Sequence, residues 1–369
     1  MENKYSLTTD RSDMFYWQSD RPFNGKETKE IFLDRHQKFN PEITKQAISY
    51  GMQQYRKSKT DSKVVRLDNP IASGSVNLVS KAILADETKI IIRAHPSNIS
   101  NGYFWVEKIA TEKAISLNVP VYKTYYIYDQ KKEFDFDFML IEQLNGFNVS
   151  KETSYNKKQL ENFTHQTGRF AALINSVKTQ GFGFFSNRIA KDNRELKGIH
   201  KQWKQHIYAA FEKNLQYLQD KKTISSTERK IIEKLFSRKE NLIYCKSPRL
   251  IHNDIADWNQ LADVNGKVTG MIDWDECFSG DYIMEFAQYS LFYDNPRLGW
   301  FKEGYETISK LGDDFEEKFH LYKLRYIVSK LHLRKVKLED TYSDFLQDKL
   351  EFGLKCLNDE LKWYGKNNK

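Results

Sequence analysis

Residues 250–259 read Leu-Ile-His-Asn-Asp-Ile-Ala-Asp-Trp-Asn, a His-x-Asp-x4-Asn pattern, and Ile272-Asp273-Trp274-Asp275 follows shortly after. Transfer of a phosphoryl group from a nucleotide needs a carboxylate that orients the attacking hydroxyl and accepts its proton. It also needs oxygen ligands for the magnesium that bridges the phosphates. Asp254 and Asn259 can divide those tasks on one tight loop. Asn265-Gly266, a strong tight-turn signal, returns the chain so that Asp273 arrives beside them. Either piece alone is equally well an acidic turn or a strand-end cap. The two together, in this order, point to phosphoryl transfer.

Such a loop must be held by elements of two textures. Between Val64 and Gln143 the chain is β-rich, with strands expected at Val76–Leu84, Lys89–Arg93, Val121–Tyr128 and Phe134–Glu142, and one helix from about Tyr103 to Leu117. After Gly146 the period changes: Leu160, Phe163, Thr167, Phe170, Ile174 and Val177 step by three and four, as one face of a helix does. Further helices are expected near 199–219 and 226–240. The last helix presents Leu350, Leu354, Leu357 and Leu361 on one face. The expected fold is α+β and two-lobed, with residues 1–60 an N-terminal extension containing a helix from Pro41. Residues 61–143 would form a β-rich nucleotide-binding lobe, and 144–369 a helical catalytic and substrate-binding lobe.

The catalytic pattern resembles that of the aminoglycoside phosphotransferase and choline kinase-like family, whose fold is protein-kinase-like. The family's loop reads His-Gly-Asp-x4-Asn and its metal strand Ile-Asp-Trp or Ile-Asp-Phe. The resemblance implies Asp254 as catalytic base, Asn259 and Asp273 as magnesium ligands, and His252 as a residue that pins the loop by a hydrogen bond. Asn253 stands where Gly is usual, a mild departure because Asn tolerates left-handed backbone. Gly280-Asp281 with Glu285-Phe286-Ala287 resembles a further family segment in which Asp281 caps or braces. Phe138 to Gly146 resembles the interlobe hinge, placing Glu142 and Leu144 beside the adenine. Thr167 to Leu173 resembles the first large helix of the second lobe.

In the same frame Ile71-Ala72-Ser73-Gly74-Ser75-Val76-Asn77 is the nucleotide loop. It has a single glycine, so Gly74, Ser75, Asn77 and loop amides would hold phosphate oxygens. Arg93, at the end of the Ile90-Ile91-Ile92 run, would reach the phosphates where protein kinases carry Lys, with Glu107 as its partner in preference to Glu112. The cofactors implied are ATP or GTP and Mg2+. A protein kinase is disfavoured, because only seven residues separate Asp273 from Asp281, too few for an activation segment, and Ala256 replaces the usual basic residue. A kinase fold without activity would require loss of the catalytic residues, and Asp254, Asn259 and Asp273 are all present.

Charge distribution bears on the acceptor. The chain of 369 residues carries +8, yet residues 251–300 hold nine acids against Lys267 and Arg297. Asp257, Asp275 and Glu276 are not required for phosphoryl transfer and flank the catalytic loop and metal strand. They are the expected binding acids for a cationic hydroxyl acceptor, an aminoglycoside-type molecule first, with choline, ethanolamine, homoserine and sugars behind. The lysines are scattered and no nucleic-acid-binding module is present, so no nucleic-acid partner is expected. No apolar run reaches membrane-spanning length, and the start lacks an apolar signal core, so no membrane partner is expected. Cys245, Cys277 and Cys356 form neither a disulfide framework nor a zinc pattern, which fits a cytoplasmic protein.

Overall fold

The strand Leu78–Leu84 buries Leu78, Ser80, Ala82 and Leu84 on one face, the period of two that a sheet requires. The computed structural model describes residues 11–20, 26, 30, 39–57, 60–71, 77–95, 103–149 and 155–367. Within them β1 (Val64–Leu67), β2 (Leu78–Leu84), β3 (Lys89–Ala94), β4 (Thr124–Tyr128) and β5 (Phe138–Glu142) form an antiparallel sheet of order β1-β2-β3-β5-β4. Its faces are covered by different helices because β5 alternates. Phe138 and Leu140 join Ala47, Ile48 and Met52 of the helix Pro41–Arg56, whereas Met139 and Ile141 share a core with the helix Phe104–Ser116. Asn40 caps the first of these helices by accepting from the Glu42 and Ile43 amides, with Pro41 at the first turn.

The second lobe is helical. Its first long helix, Lys157–Ser176, starts with a capping box between Asn156 and Gln159. The helix Arg297–Glu306 packs on it at glycines from both sides. A Cβ on Gly168 would stand 2.0 Å from the Phe301 carbonyl oxygen, and one on Gly304 would stand 1.9 Å from that of His165. Any larger residue would force these backbones apart. A 26-residue helix, Phe315–Asp340, runs through the lobe with most of its middle buried, and Asp344–Asn367 packs along it. The lobes meet where Met271 donates its amide to the Pro120 carbonyl at 2.7 Å and Val121 bridges to Met271.

Four expectations need adjusting. The strand expected from Val121 begins at Thr124, because Pro120 and Val121 are taken by the other lobe. The strand expected from Phe134 begins at Phe138, with Phe134 and Phe136 packing as rings on Tyr128 and Phe138 instead. The single helix expected over 199–219 is two, Trp203–Tyr208 and Phe211–Asp220, after a short strand at Gly198–His200. Buried Arg325 donates to the Ile207 and Ala209 carbonyls at 2.6 Å each, and Ala210 turns left-handed at φ 53°. Finally, the expected N-terminal extension is not one unit. Residues 41–56 belong to the core of the β-rich lobe, while Phe15, Tyr16 and Trp17 are buried in the helical lobe.

Candidate active site

The short strand Arg249–Ile251 delivers His252 into a loop whose backbone is fixed from below. The Glu285 carboxylate accepts the His252 and Asn253 amides, both at 2.9 Å. Asn253 adopts φ 67°, and its side chain donates to the Glu276 carbonyl and accepts from the Tyr326 hydroxyl. His252 Nδ1 accepts the Asp254 amide at 3.3 Å, with its ring against Trp274. Burial pushes the His252 pKa down to about 3, so the ring is neutral and free to accept.

Asp254, held by that loop, is 5 % exposed. Asn259 donates through Nδ2 to its Oδ2 at 2.7 Å and to its backbone carbonyl at 3.0 Å, and Gln288 approaches its Oδ1 at 3.5 Å. Burial raises the Asp254 pKa to about 6, against the Lys330 charge, which lowers it. A carboxylate so placed is ionised at neutral pH and basic enough to take a proton.

With both Nδ2 contacts spent on Asp254, Oδ1 is the side-chain atom of Asn259 left to bind a cation. The Ile272 amide donates to the Asn259 carbonyl at 2.9 Å, which sets Asp273 directly beside Asn259. Asp273 has φ 66° and a side chain 47 % exposed. Its pKa is raised, by enclosure and then by the neighbouring Asp275. A divalent cation reverses that penalty, and oxygen-only donors from Asn259 and Asp273 suit magnesium. Among the described residues no cluster of three or more His, Cys, Asp or Glu could hold a metal.

Across the cleft, Arg93 pairs with the fully buried Glu107, which also accepts from the Tyr122 hydroxyl at 3.2 Å. Burial alone would lower the Arg93 pKa; the Glu107 carboxylate overrides it and raises it. The other Arg93 nitrogen lies 3.6 Å from the Asp273 carboxylate. Glu142 ends β5 with its amide on the Lys123 carbonyl, and Leu144 packs against Gly270. Asn77 is half-buried just before β2, its Oδ1 without a hydrogen-bond partner among the described residues. Gly74 and Ser75 lie outside the described residues.

The three acids expected to bind the acceptor separate here. Asp257 forms a two-pronged pair with Arg297, at 2.7 and 2.8 Å, under the Tyr293 ring. Glu276 is fully buried and accepts the Trp17 and Gln18 amides at 3.3 and 3.2 Å. Both acids are engaged within the protein. Asp275 remains, half-buried beside Asp273. The sequence had also expected Asp281 to brace, and it does, accepting from Ile283, Lys318 and Tyr322. Lys330, Tyr16 and Gln288 near Asp254 carry no motif. They arrive from distant segments, and no signal in the sequence marks them.

Residues 70–308 match the model of the phosphotransferase enzyme family APH. No curated protein sequence matches the chain. Among solved structures, aminoglycoside phosphotransferase APH(4)-Ia, in a ternary complex with AMP-PNP and hygromycin B, superposes with a TM-score of 0.57 at 16% identity over 82% of this chain and 95% of that one. A provisionally assigned fructosamine-3-kinase from Thermobifida fusca gives 0.54 at 15% identity over 84% and 99%. The GDP complex of a variant aminoglycoside 2′-phosphotransferase IIIa gives 0.55 at 14% over 88% and 100%. At these identities the structures establish the protein-kinase-like fold. The family match covers well over half the sequence and includes the 252–259 loop, the 272–275 segment and the Arg93–Glu107 pair: the chain belongs to the phosphotransferase enzyme family, with a β-rich lobe and a helical lobe around the site.

Proposed function

We propose that the protein transfers the γ-phosphate of ATP or GTP to a hydroxyl of a small molecule. The observation that carries this reading is the placement of Asn259 Nδ2 2.7 Å from Asp254 Oδ2 while the Asn259 carbonyl holds the Ile272 amide beside Asp273. One loop thus orients both the base and the metal-binding oxygens. Asn259 and Asp273 would hold Mg2+, which would supply positive charge against the charge developing on the transferred phosphoryl group. Asp254 orients the acceptor hydroxyl and takes its proton, Arg93 faces the phosphates, and the Phe138–Gly146 hinge lies along the purine. Asp273 is followed directly by the strand Phe278–Gly280 and the helix Ile283–Tyr289, leaving no platform for a peptide substrate. Solved relatives with AMP-PNP and with GDP support either purine.

For the acceptor, the acidic stretch around the loop favours a molecule bearing an ammonium group, aminoglycoside-type first, with Asp275 as its carboxylate. Choline, ethanolamine, homoserine and sugar kinases share the fold and form the second reading. Nucleotide consumption with Mg2+ against a panel of these hydroxyl acceptors tests the proposal. A stimulated rate that disappears in Asp254→Asn supports it. Failure of the wild-type protein to bind Mg2+–nucleotide refutes it.

A further inference from the structure

Three consecutive backbone carbonyls just after Asp273 are each held by a side chain from a different part of the chain. Arg11 Nη1 donates to the Asp275 carbonyl at 2.7 Å, Asn253 Nδ2 to that of Glu276 at 3.3 Å, and the Tyr103 hydroxyl to that of Cys277 at 2.6 Å. Residues 272–277 lie between the strands Val268–Met271 and Phe278–Gly280 and belong to neither, so side chains do here what ladder bonds do elsewhere. Asp273 itself sits at φ 66°. A residue with a Cβ keeps that conformation only where its surroundings fix it.

Asn253 belongs to the catalytic loop, but Arg11 and Tyr103 come from outside it and touch each other. The Arg11 guanidinium, 6 % exposed, lies over the Trp17 and Tyr103 rings, 4.0 and 3.9 Å from their centres. A buried planar cation with rings against it is held in one orientation, which keeps Nη1 on its carbonyl. Tyr103 directly precedes the helix Phe104–Ser116, whose Glu107 pairs with Arg93. The segment that brings Arg11 is anchored separately. Glu276 accepts the Trp17 and Gln18 amides, Asp20 accepts those of Phe15 and Tyr16 at 3.0 and 3.1 Å, and Asn214 donates to Asp20 at 3.3 Å. Residues 11–20 lie outside the 70–308 match, so the sequence shared with the family does not supply this contact. Resting on the kinase reading, we infer that Arg11, with Tyr103 beside it, is a positioning residue for the Mg2+ site: it holds the Asp275 carbonyl and thereby the backbone that aims the Asp273 carboxylate. It acts through Asp273 and not on nucleotide or acceptor.

The test uses the full chain and calorimetric titration of AMP-PNP in Mg2+ and again in EDTA; the ratio of the two affinities reads the metal site. In Arg11→Met that ratio should fall about tenfold, the size of one hydrogen bond from a charged group, while affinity in EDTA stays within about twofold. Tyr103→Phe keeps the ring beneath Arg11 and loses only the hydroxyl, and should lower the ratio about threefold. Leu357→Ala, a cavity in the buried face of the Asp344–Asn367 helix, should lower Tm and leave the ratio unchanged. A wild-type ratio in Arg11→Met (or in Tyr103→Phe, should the first variant not fold) would overturn the inference. So would an equal loss in Mg2+ and in EDTA, or the same fall in Leu357→Ala. If the wild-type protein does not bind AMP-PNP, or binds it no more tightly with Mg2+, the kinase reading fails. If it does so and the variants keep its ratio, only the positioning role falls.

Discussion

The Arg93 guanidinium lies 3.6 Å from the Asp273 carboxylate while paired on its other side with Glu107. One side chain thereby joins β3, the helix Phe104–Ser116 and the Asp273 carboxylate of the other lobe. Because Glu107 is fully buried, this arginine has a structural duty besides any contact with phosphate.

Arg93→Met should therefore destabilise the protein by about 3–5 kcal/mol, since it leaves a buried carboxylate without its counter-charge. The double variant Arg93→Met/Glu107→Leu should recover much of that loss in thermal denaturation while remaining impaired with nucleotide. If the single variant is as stable as wild type, the pair is not the brace described.

Asp254→Asn should lower kcat by about 10²-fold or more, the usual cost of losing a general base. Nucleotide affinity and Tm should hold, because the substitution keeps shape and removes a carboxylate that burial disfavours. A rate within a factor of two or three of wild type would assign the base elsewhere.

The rate should fall on the acid side near pH 6, where Asp254 takes up a proton; the charged groups facing it are Lys330, which lowers its pKa, and Asp275, which raises it. The sign for stability is opposite. The folded pKa lies above the usual carboxylate value, so the ionised form is the costly one, and this group adds stability as pH falls through 6 toward 4. A pH profile of kcat/KM checks the first statement. The residual rate of Asp254→Asn should show no such limb.

Asp273→Ala should abolish Mg2+-dependent tightening of nucleotide binding, measured by calorimetry with and without chelator. Affinity in the absence of Mg2+ should change little, because only the metal-bridged contacts are lost.

Asp275→Asn should raise the KM of an ammonium-bearing acceptor several-fold, with the wild-type KM climbing as salt is added. Asp257→Asn and Glu276→Ala should act on folding stability instead, by about 1–3 kcal/mol each in denaturation, the cost of leaving hydrogen-bond donors of Arg297 or of the Trp17 and Gln18 amides without an acceptor. Equal KM effects from all three would restore them as one acceptor-binding set.

The proximity of Asp254, Asn259 and Asp273 was legible in the sequence because it is set locally. Asp254, Asn259 and the Asn265-Gly266 return to Asp273 lie within twenty residues, and hydrogen bonds across that short hairpin set their relative positions. The alternation of β2 and the three–four stepping of Lys157–Ser176 were legible for the same reason, since each period is a property of a single element. The partners of Asp257 and Glu276 were not legible because a carboxylate's partner is chosen in three dimensions: Arg297 lies forty residues on, and the Trp17 and Gln18 amides come from the far end of the chain. The break at Ala209 and Ala210 was invisible because Arg325, which takes the carbonyls there, sits more than a hundred residues away. Lys330 is the extreme case. In sequence it is one lysine among many, and only packing against Tyr16 and Phe292, near Asp254, strips it of water and makes its charge matter.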